Sequence, residues 1–260
     1  MKYLNNTART HLIISIGSFN NYQSTEYQTK RALDSMSTKS LRQNPDDIAI
    51  FNDSLKGIDA IKKVGFSVGG IIAINTSFDS PSDEQPKLPG HLRNGNYNMD
   101  DRTAILVSDN NSDAYFPPNI VTKSDLKIIV DKFNSSSKSE RDAWRVFAEV
   151  AKLQPFQDGN KRTALIAANS AFGALSSGDY LILPTNDLDR AEFTLMLMRF
   201  YSAQDNKTED VAFERMLNVL PNESDRLQEL SRPITKENPN KLATRKIKYE
   251  FREKKEGPDI

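Results

Sequence analysis

The chain contains no cysteine. Disulfides, thiolate nucleophiles and cysteine-based zinc sites are therefore excluded, and the composition is compatible with a reducing, cytoplasmic setting. Histidine is nearly absent as well, with only His11 and His91, so few side chains are available as proton acceptors near neutral pH. There is no excess of either charge. Lys plus Arg and Asp plus Glu each total 35, so no bulk field draws the chain to nucleic acid or to a basic partner. No apolar run approaches the ~20 residues that span a bilayer. The segment 11–16 (His-Leu-Ile-Ile-Ser-Ile) is too short for a membrane span and lacks the flanks of a signal peptide. It reads as a short strand or a buried anchor. A mean hydropathy of −0.59 implies that part of the 260 residues lies outside a packed core.

What is present is helical periodicity. Residues 1–45 are polar and read as an irregular N-terminal extension. From Asp47 to Val64, apolar residues Ile48, Phe51, Leu55, Ile58 and Ile61 recur at three- and four-residue steps, which is one helical face. A second helix or turn-helix follows over 66–78, and the proline-containing stretch 79–90 is a loop. Residues 103–107 and 114–116 read as two strands around the turn chemistry of 109–113, and Pro117 and Pro118 end the hairpin. Leu126, Ile129, Val130 and Phe133 mark a helix capped by Thr122 or Ser124. Ser139 and Asp142 form a capping pattern before a helix that runs to about Leu153. A further helix starts near Asn160 and ends around Gly178. Asn186 and Thr208 are cap candidates for two more. The fold class is thus mainly α with a short β-hairpin, and the core extends over 46–220. The tail 221–260 is charged, with a strand-like alternation of Ile247, Tyr249 and Phe251 in 245–251.

The segment 153–165 carries the chemistry. One helix ends, a glycine-containing turn follows, and a second helix begins. Gly159, Asn160, Lys161 and Arg162 place backbone N–H groups at a helix N-terminus, where unpaired donors and the helix dipole attract anions. Lys161 and Arg162 add positive charge, and an arginine fork suits phosphate oxygens. Asp158 beside such a cradle suits Mg²⁺, which takes one or two carboxylates together with substrate phosphates. The competing reading is an ordinary glycine turn between two helices with surface charges.

This segment resembles the Fic/Doc (Fido) family loop, His-x-Phe-x-(Asp/Glu)-Gly-Asn-(Gly/Lys)-Arg, at Phe156, Asp158, Gly159, Asn160, Lys161 and Arg162. The Asn-Lys-Arg-Thr-Ala wording of 160–164 is most similar to the Doc branch. Upstream, Gly90-His91-Leu92-Arg93 resembles the family's Gly-x-x-Arg segment, and the hairpin near 104–116 stands where the family has its flap. The resemblance implies a Fic/Doc-type helical core that transfers AMP or a phosphoryl group from ATP to a protein hydroxyl. It further implies that Asp158 holds Mg²⁺, that Gly159, Asn160, Lys161 and Arg162 hold the nucleotide phosphates, and that the flap aligns a protein target by strand addition.

Two positions depart from the pattern. Gln154 stands where the family has its catalytic histidine, and a carboxamide accepts no proton near neutral pH. A missing general base costs about 10²–10⁴ in rate, while positioning and phosphate stabilisation survive. His11 is remote in sequence, and His91 reads as a loop residue. Leu165 replaces a second phosphate-binding arginine, as in Doc-like members, which tilts the expectation towards phosphate transfer. The family's inhibitory motif has no convincing copy. Glu237-Asn238 is preceded by Pro233 where Ser or Thr belongs, which leaves room for a separate antitoxin chain. Three functions follow: a weakened ATP- and Mg²⁺-dependent transferase, an inactive nucleotide- or protein-binding module, and nucleic-acid binding through 241–255. Interspersed glutamates disfavour the last.

Overall fold

A computed structural model describes residues 6–82, 85–107 and 113–236. The described residues are mainly helical, with one small antiparallel sheet. In chain order the elements are α1 (Asn6–Gly17), α2 (Glu26–Ser35), α3 (Pro45–Val64), α4 (Val68–Thr76), β1 (Ile105–Leu106), β2 (Ala114–Tyr115), α5 (Lys123–Ser135), α6 (Glu140–Leu153), α7 (Asn160–Ala171), α8 (Ala174–Ser177), α9 (Asp187–Ser202), α10 (Asn206–Val219) and α11 (Glu223–Ser231).

The core forms around α7. Its residues from Arg162 to Asn169 are all buried, and α6, α4, α3 and α1 pack against it. A helix enclosed in this way needs small residues on several faces, and Thr163, Ala164, Ala167 and Ala168 supply them. Leu165 is a fully buried core residue. The amphipathic helices α5 and α6 lie outside this centre, and capping boxes start both: Thr122 with Asp125, and Ser139 with Asp142. Asn186 caps α9 as its sequence suggested. The start of α10 differs from expectation. Asp205 is its cap and accepts from the Thr208 N–H at 2.8 Å, so Thr208 is the third helical residue.

The N-terminal region differs more. Residues 6–35 hold two helices rather than irregular chain, and 11–16 is helix rather than strand. Leu12, Ile13 and Ile16 are fully buried. The polar residues that suggested an extension satisfy one another locally or pair with the core. Thr10 donates to the Asn6 carbonyl, and Ser15 Oγ accepts from the Leu183 N–H. His11 is buried with Nδ1 3.7 Å from both Glu26 and Glu229. Arg232 binds the same two carboxylates, which joins α1, α2 and α11. The start of the charged tail is likewise structured. In α11, Arg226 is buried and pairs with Asp179 and with Glu140. The strand expected at 245–251 lies outside the described residues.

The hairpin forms as expected. Ile105 faces Tyr115 and Leu106 faces Ala114 in antiparallel register. Its base is an irregular ladder. Arg93 N–H donates to the Pro155 carbonyl, and the Arg93 carbonyl accepts from Val121. The segment 93–95 therefore lies between the loop after α6 and the exit of the hairpin. Among the described residues, no helix is long and apolar enough to cross a membrane.

Candidate functional site

The loop 154–159 connects two helix ends. Gln154 closes α6 in the left-handed region at φ 49°, a conformation that a non-glycine residue adopts at some cost. Gly159 opens α7 at φ 74°. A Cβ there would stand 2.8 Å from the Phe78 ring and 3.2 Å from Asn75 Nδ2, so glycine is required by both backbone and space. Phe156 is fully buried and anchors the middle of the loop.

Asn160 holds the two halves together. Its Oδ1 accepts from the Phe156 N–H at 2.8 Å, while its Nδ2 donates to the Phe156 carbonyl at 2.8 Å and to Gln154 Oε1 at 3.0 Å. Gln154 is only 7% exposed, and its Nε2 donates to the Ala151 carbonyl at 2.6 Å. Donor and acceptor of this amide are thus both used inside the loop. Burial raises the Tyr201 hydroxyl well above the ordinary tyrosine range.

Asp158 and Lys161 face each other across the start of α7. Asp158 Oδ1 accepts from the Gly159 N–H at 2.6 Å, and its side chain is 42% exposed. Burial lowers the Lys161 pKa, and the Asp158 charge works against that shift. Lys161 Nζ also sits 5.6 Å from the Phe19 ring centroid, so the N-terminal region reaches the site. Arg162 differs in setting. Its side chain is 1% exposed, 3.9 Å from Asp158 Oδ2. It stacks on Phe78 at 4.9 Å and its NH2 donates to Gln85 Oε1 at 3.4 Å. The guanidinium is covered rather than presented to solvent.

Several further residues support the loop, and of these the sequence had singled out only Arg93, in the Gly-x-x-Arg segment, and Tyr115, in the hairpin. Asn75 is fully buried. It donates to the Asp158 carbonyl at 2.9 Å and accepts from the Gly90 N–H at 2.8 Å. An asparagine at the end of the apolar run Ile71–Ile74 was the one visible cue. Gln157 accepts from the Leu88 N–H and donates to Asp101 Oδ1. Arg93, buried, reaches three carbonyls: Gln154 at 2.5 Å, Asp101 at 2.8 Å and Pro118 at 3.0 Å. It thereby fixes the loop, the segment before the hairpin and the hairpin exit to one another. Tyr115 of β2 donates to the Lys152 carbonyl at 3.0 Å, which pins the hairpin beside the end of α6.

Residues 69–171, from α4 to the end of α7, match the model of the Fic/DOC family. The chain carries a Fic/DOC family domain. The matched segment contains the loop, the hairpin and the helices α4 to α7 that hold them. Similar solved structures extend the likeness beyond it. A Fic domain containing signaling protein from Bacteroides thetaiotaomicron is 15% identical with a TM-score of 0.61, over 88% of this chain and 87% of that one. A Fic family protein from Desulfovibrio desulfuricans is 16% identical with a TM-score of 0.64, over 91% and 69%. Fic-1 from C. elegans is 19% identical with a TM-score of 0.53, over 84% and 62%. At these identities the likeness is one of fold. No curated protein sequence matches the chain significantly.

Within the Fic domain, the structure brings Gln154, Asp158, Gly159, Asn160, Lys161 and Arg162 into one loop and helix start. It separates them by exposure. Asp158 is open to solvent, while Gln154 and Arg162 are enclosed.

Proposed function

We propose that this Fic domain binds ATP with Mg²⁺ and transfers AMP or a phosphoryl group to a protein hydroxyl, at a rate lowered by Gln154. Fic/DOC domains are in general transferase (AMPylation) domains, and the observation that carries the reading is the start of α7. Gly159 in the left-handed region opens that helix with no side-chain cap hydrogen bond, and a half-exposed carboxylate stands immediately before it. Unpaired donors and a helix dipole form a phosphate site. Asp158 Oδ1 accepts from the Gly159 N–H and Oδ2 lies 3.9 Å from Arg162; a partly exposed carboxylate in this place fits a Mg²⁺ that takes one carboxylate and substrate phosphates. The ion would neutralise phosphate charge there. Lys161 and Arg162 supply the compensating cations. Leu165 in the core leaves Arg162 as the arginine of this turn, which favours the Doc-like orientation and phosphate transfer.

The hairpin supports a protein as the acceptor. Phe116, Leu106, Tyr97 and Met99 are exposed around it, and a two-stranded sheet offers an edge for an added strand. A separate antitoxin chain and a cytoplasmic setting belong to the same reading.

A second reading is a binding module without transfer. It is favoured by the Gln154 amide, which is consumed within the loop, and by the cover over Arg162. Calorimetry with ATP and Mg²⁺ tests what the two readings share. Saturable binding that Asp158→Ala weakens supports the cradle. Absence of binding by the native chain overturns both.

A further inference from the structure

Gln154 leaves the loop without a proton acceptor of its own, yet a histidine stands at its rim. His91 Nε2 lies 2.9 Å from Asp101 Oδ2; the imidazole is 40% exposed and Asp101 is fully buried. The same carboxylate oxygen accepts from the Asn94 N–H at 2.6 Å. The other accepts from Gln157 Nε2 at 2.7 Å and from Asn98 Nδ2 at 3.2 Å. Burial opposes the charge of Asp101, but the hydrogen bonds from Asn94, Gln157 and His91 outweigh it and hold the carboxyl below its ordinary range. An ionised carboxylate against Nε2 assigns the imidazole proton to that nitrogen. Nδ1 is then the nitrogen that carries the free lone pair.

Gln157 connects this pair to the cradle. It lies between Phe156 and Asp158, and its amide bridges the Leu88 N–H and Asp101. The backbone on the other side of His91 is fixed as well: Gly90 is bound by Asn75, which also holds the Asp158 carbonyl. His91 is therefore tied to the residues on both sides of the phosphate-binding turn. Around it stand Asp101, the Arg93 guanidinium on the Asp101 carbonyl, and the Lys87–Asp100 ion pair.

We propose that His91, oriented by Asp101, is the proton acceptor for the incoming hydroxyl in place of Gln154, a step that rests on the transferase reading above. The hydroxyl oxygen forms a bond to phosphorus as its proton passes to His91 Nδ1. The bond from phosphorus to the leaving group breaks, and its electron pair departs with pyrophosphate in AMP transfer or with ADP in phosphoryl transfer. The exposed imidazole returns the proton to solvent. Asp101 orients the ring and stabilises the imidazolium without accepting the proton, the division of labour of an aspartate–histidine pair.

The test uses the full chain, ATP labelled at the α- or γ-phosphate, and a protein extract as acceptor. His91→Asn should lower the initial rate of labelling by about 10²–10⁴, with the calorimetric affinity for ATP and Mg²⁺ unchanged. Asp101→Asn should lower it less. Added imidazole should restore part of the rate of His91→Ala, which a purely structural role would not allow. The acid limb of the native pH–rate profile should vanish in His91→Asn. Native rates in His91→Asn overturn the assignment alone; no transfer by a native protein that binds ATP and Mg²⁺ overturns the transferase reading in favour of the binding module, and the assignment with it. No binding by the native protein overturns the transferase reading, and the assignment with it.

Discussion

Asn160 Nδ2 donates to Gln154 Oε1 at 3.0 Å and so closes the loop from the start of α7 back to the end of α6. At this position glutamine does structural work that has nothing to do with proton transfer. It ends α6 at positive φ, holds the Ala151 carbonyl and receives the asparagine amide.

The stability of the domain should respond accordingly. Gln154→Ala removes two buried hydrogen bonds and keeps a side chain in the left-handed region. Urea denaturation should show a loss of about 1–3 kcal/mol. Gln154→Gly loses the same bonds but relieves the left-handed backbone, so it should be less destabilised than the alanine variant by about 1 kcal/mol. Equal stability of native and alanine proteins would show that the amide closes nothing.

Arg162 sits under Gln85 and Phe78. A phosphate oxygen must displace the Gln85 contact to reach the guanidinium. Gln85→Ala should therefore bind ATP and Mg²⁺ more tightly, by about fivefold for a contact of ~1 kcal/mol. Weaker binding in this variant, read by calorimetry, would mean that Gln85 helps to form the nucleotide site instead of covering it.

His11 ties acid sensitivity to the N-terminal helices. Burial lowers its pKa below 6.5; Glu26 and Glu229 raise it, and Arg232 lowers it. In the unfolded chain the imidazole protonates near its ordinary value of about 6.5. Between the lowered folded value and that point, the unfolded state binds more protons, so stability falls as pH drops. It is fully present above about 6.5. His11→Gln should flatten the pH dependence of urea stability just below about pH 6.5. An unchanged slope would place the sensitivity elsewhere.

Much of this fold was legible because long amphipathic helices state their own periodicity. The helix α3, the capping boxes of α5 and α6, and the break at Pro155–Gly159 follow from local chemistry. The N-terminal helices were hidden because their threonines and serines are buried and satisfied by partners distant in sequence, such as Ser15 with Leu183. A polar residue reads as solvated until its partner is known. The loop was readable where identity alone decides its conformation, as for the left-handed Gly159. It was unreadable where burial decides. Nothing in the sequence says that Arg162 is covered, that Gln154 faces inward, or that His91 meets Asp101 ten residues away. Lys161 looked like a phosphate ligand, and its place near Phe19 depends on a chain segment more than a hundred residues earlier.

The central claim is that a transferase site persists here with its usual proton acceptor replaced. Label transfer from α- and γ-labelled ATP to protein, compared between the native chain and Gln154→His, tests it most directly. The account predicts weak labelling by the native chain, where His91 stands in from the rim of the loop, and stronger labelling by the variant, whose histidine occupies the loop position itself. No labelling by the variant, despite ATP binding, would contradict it.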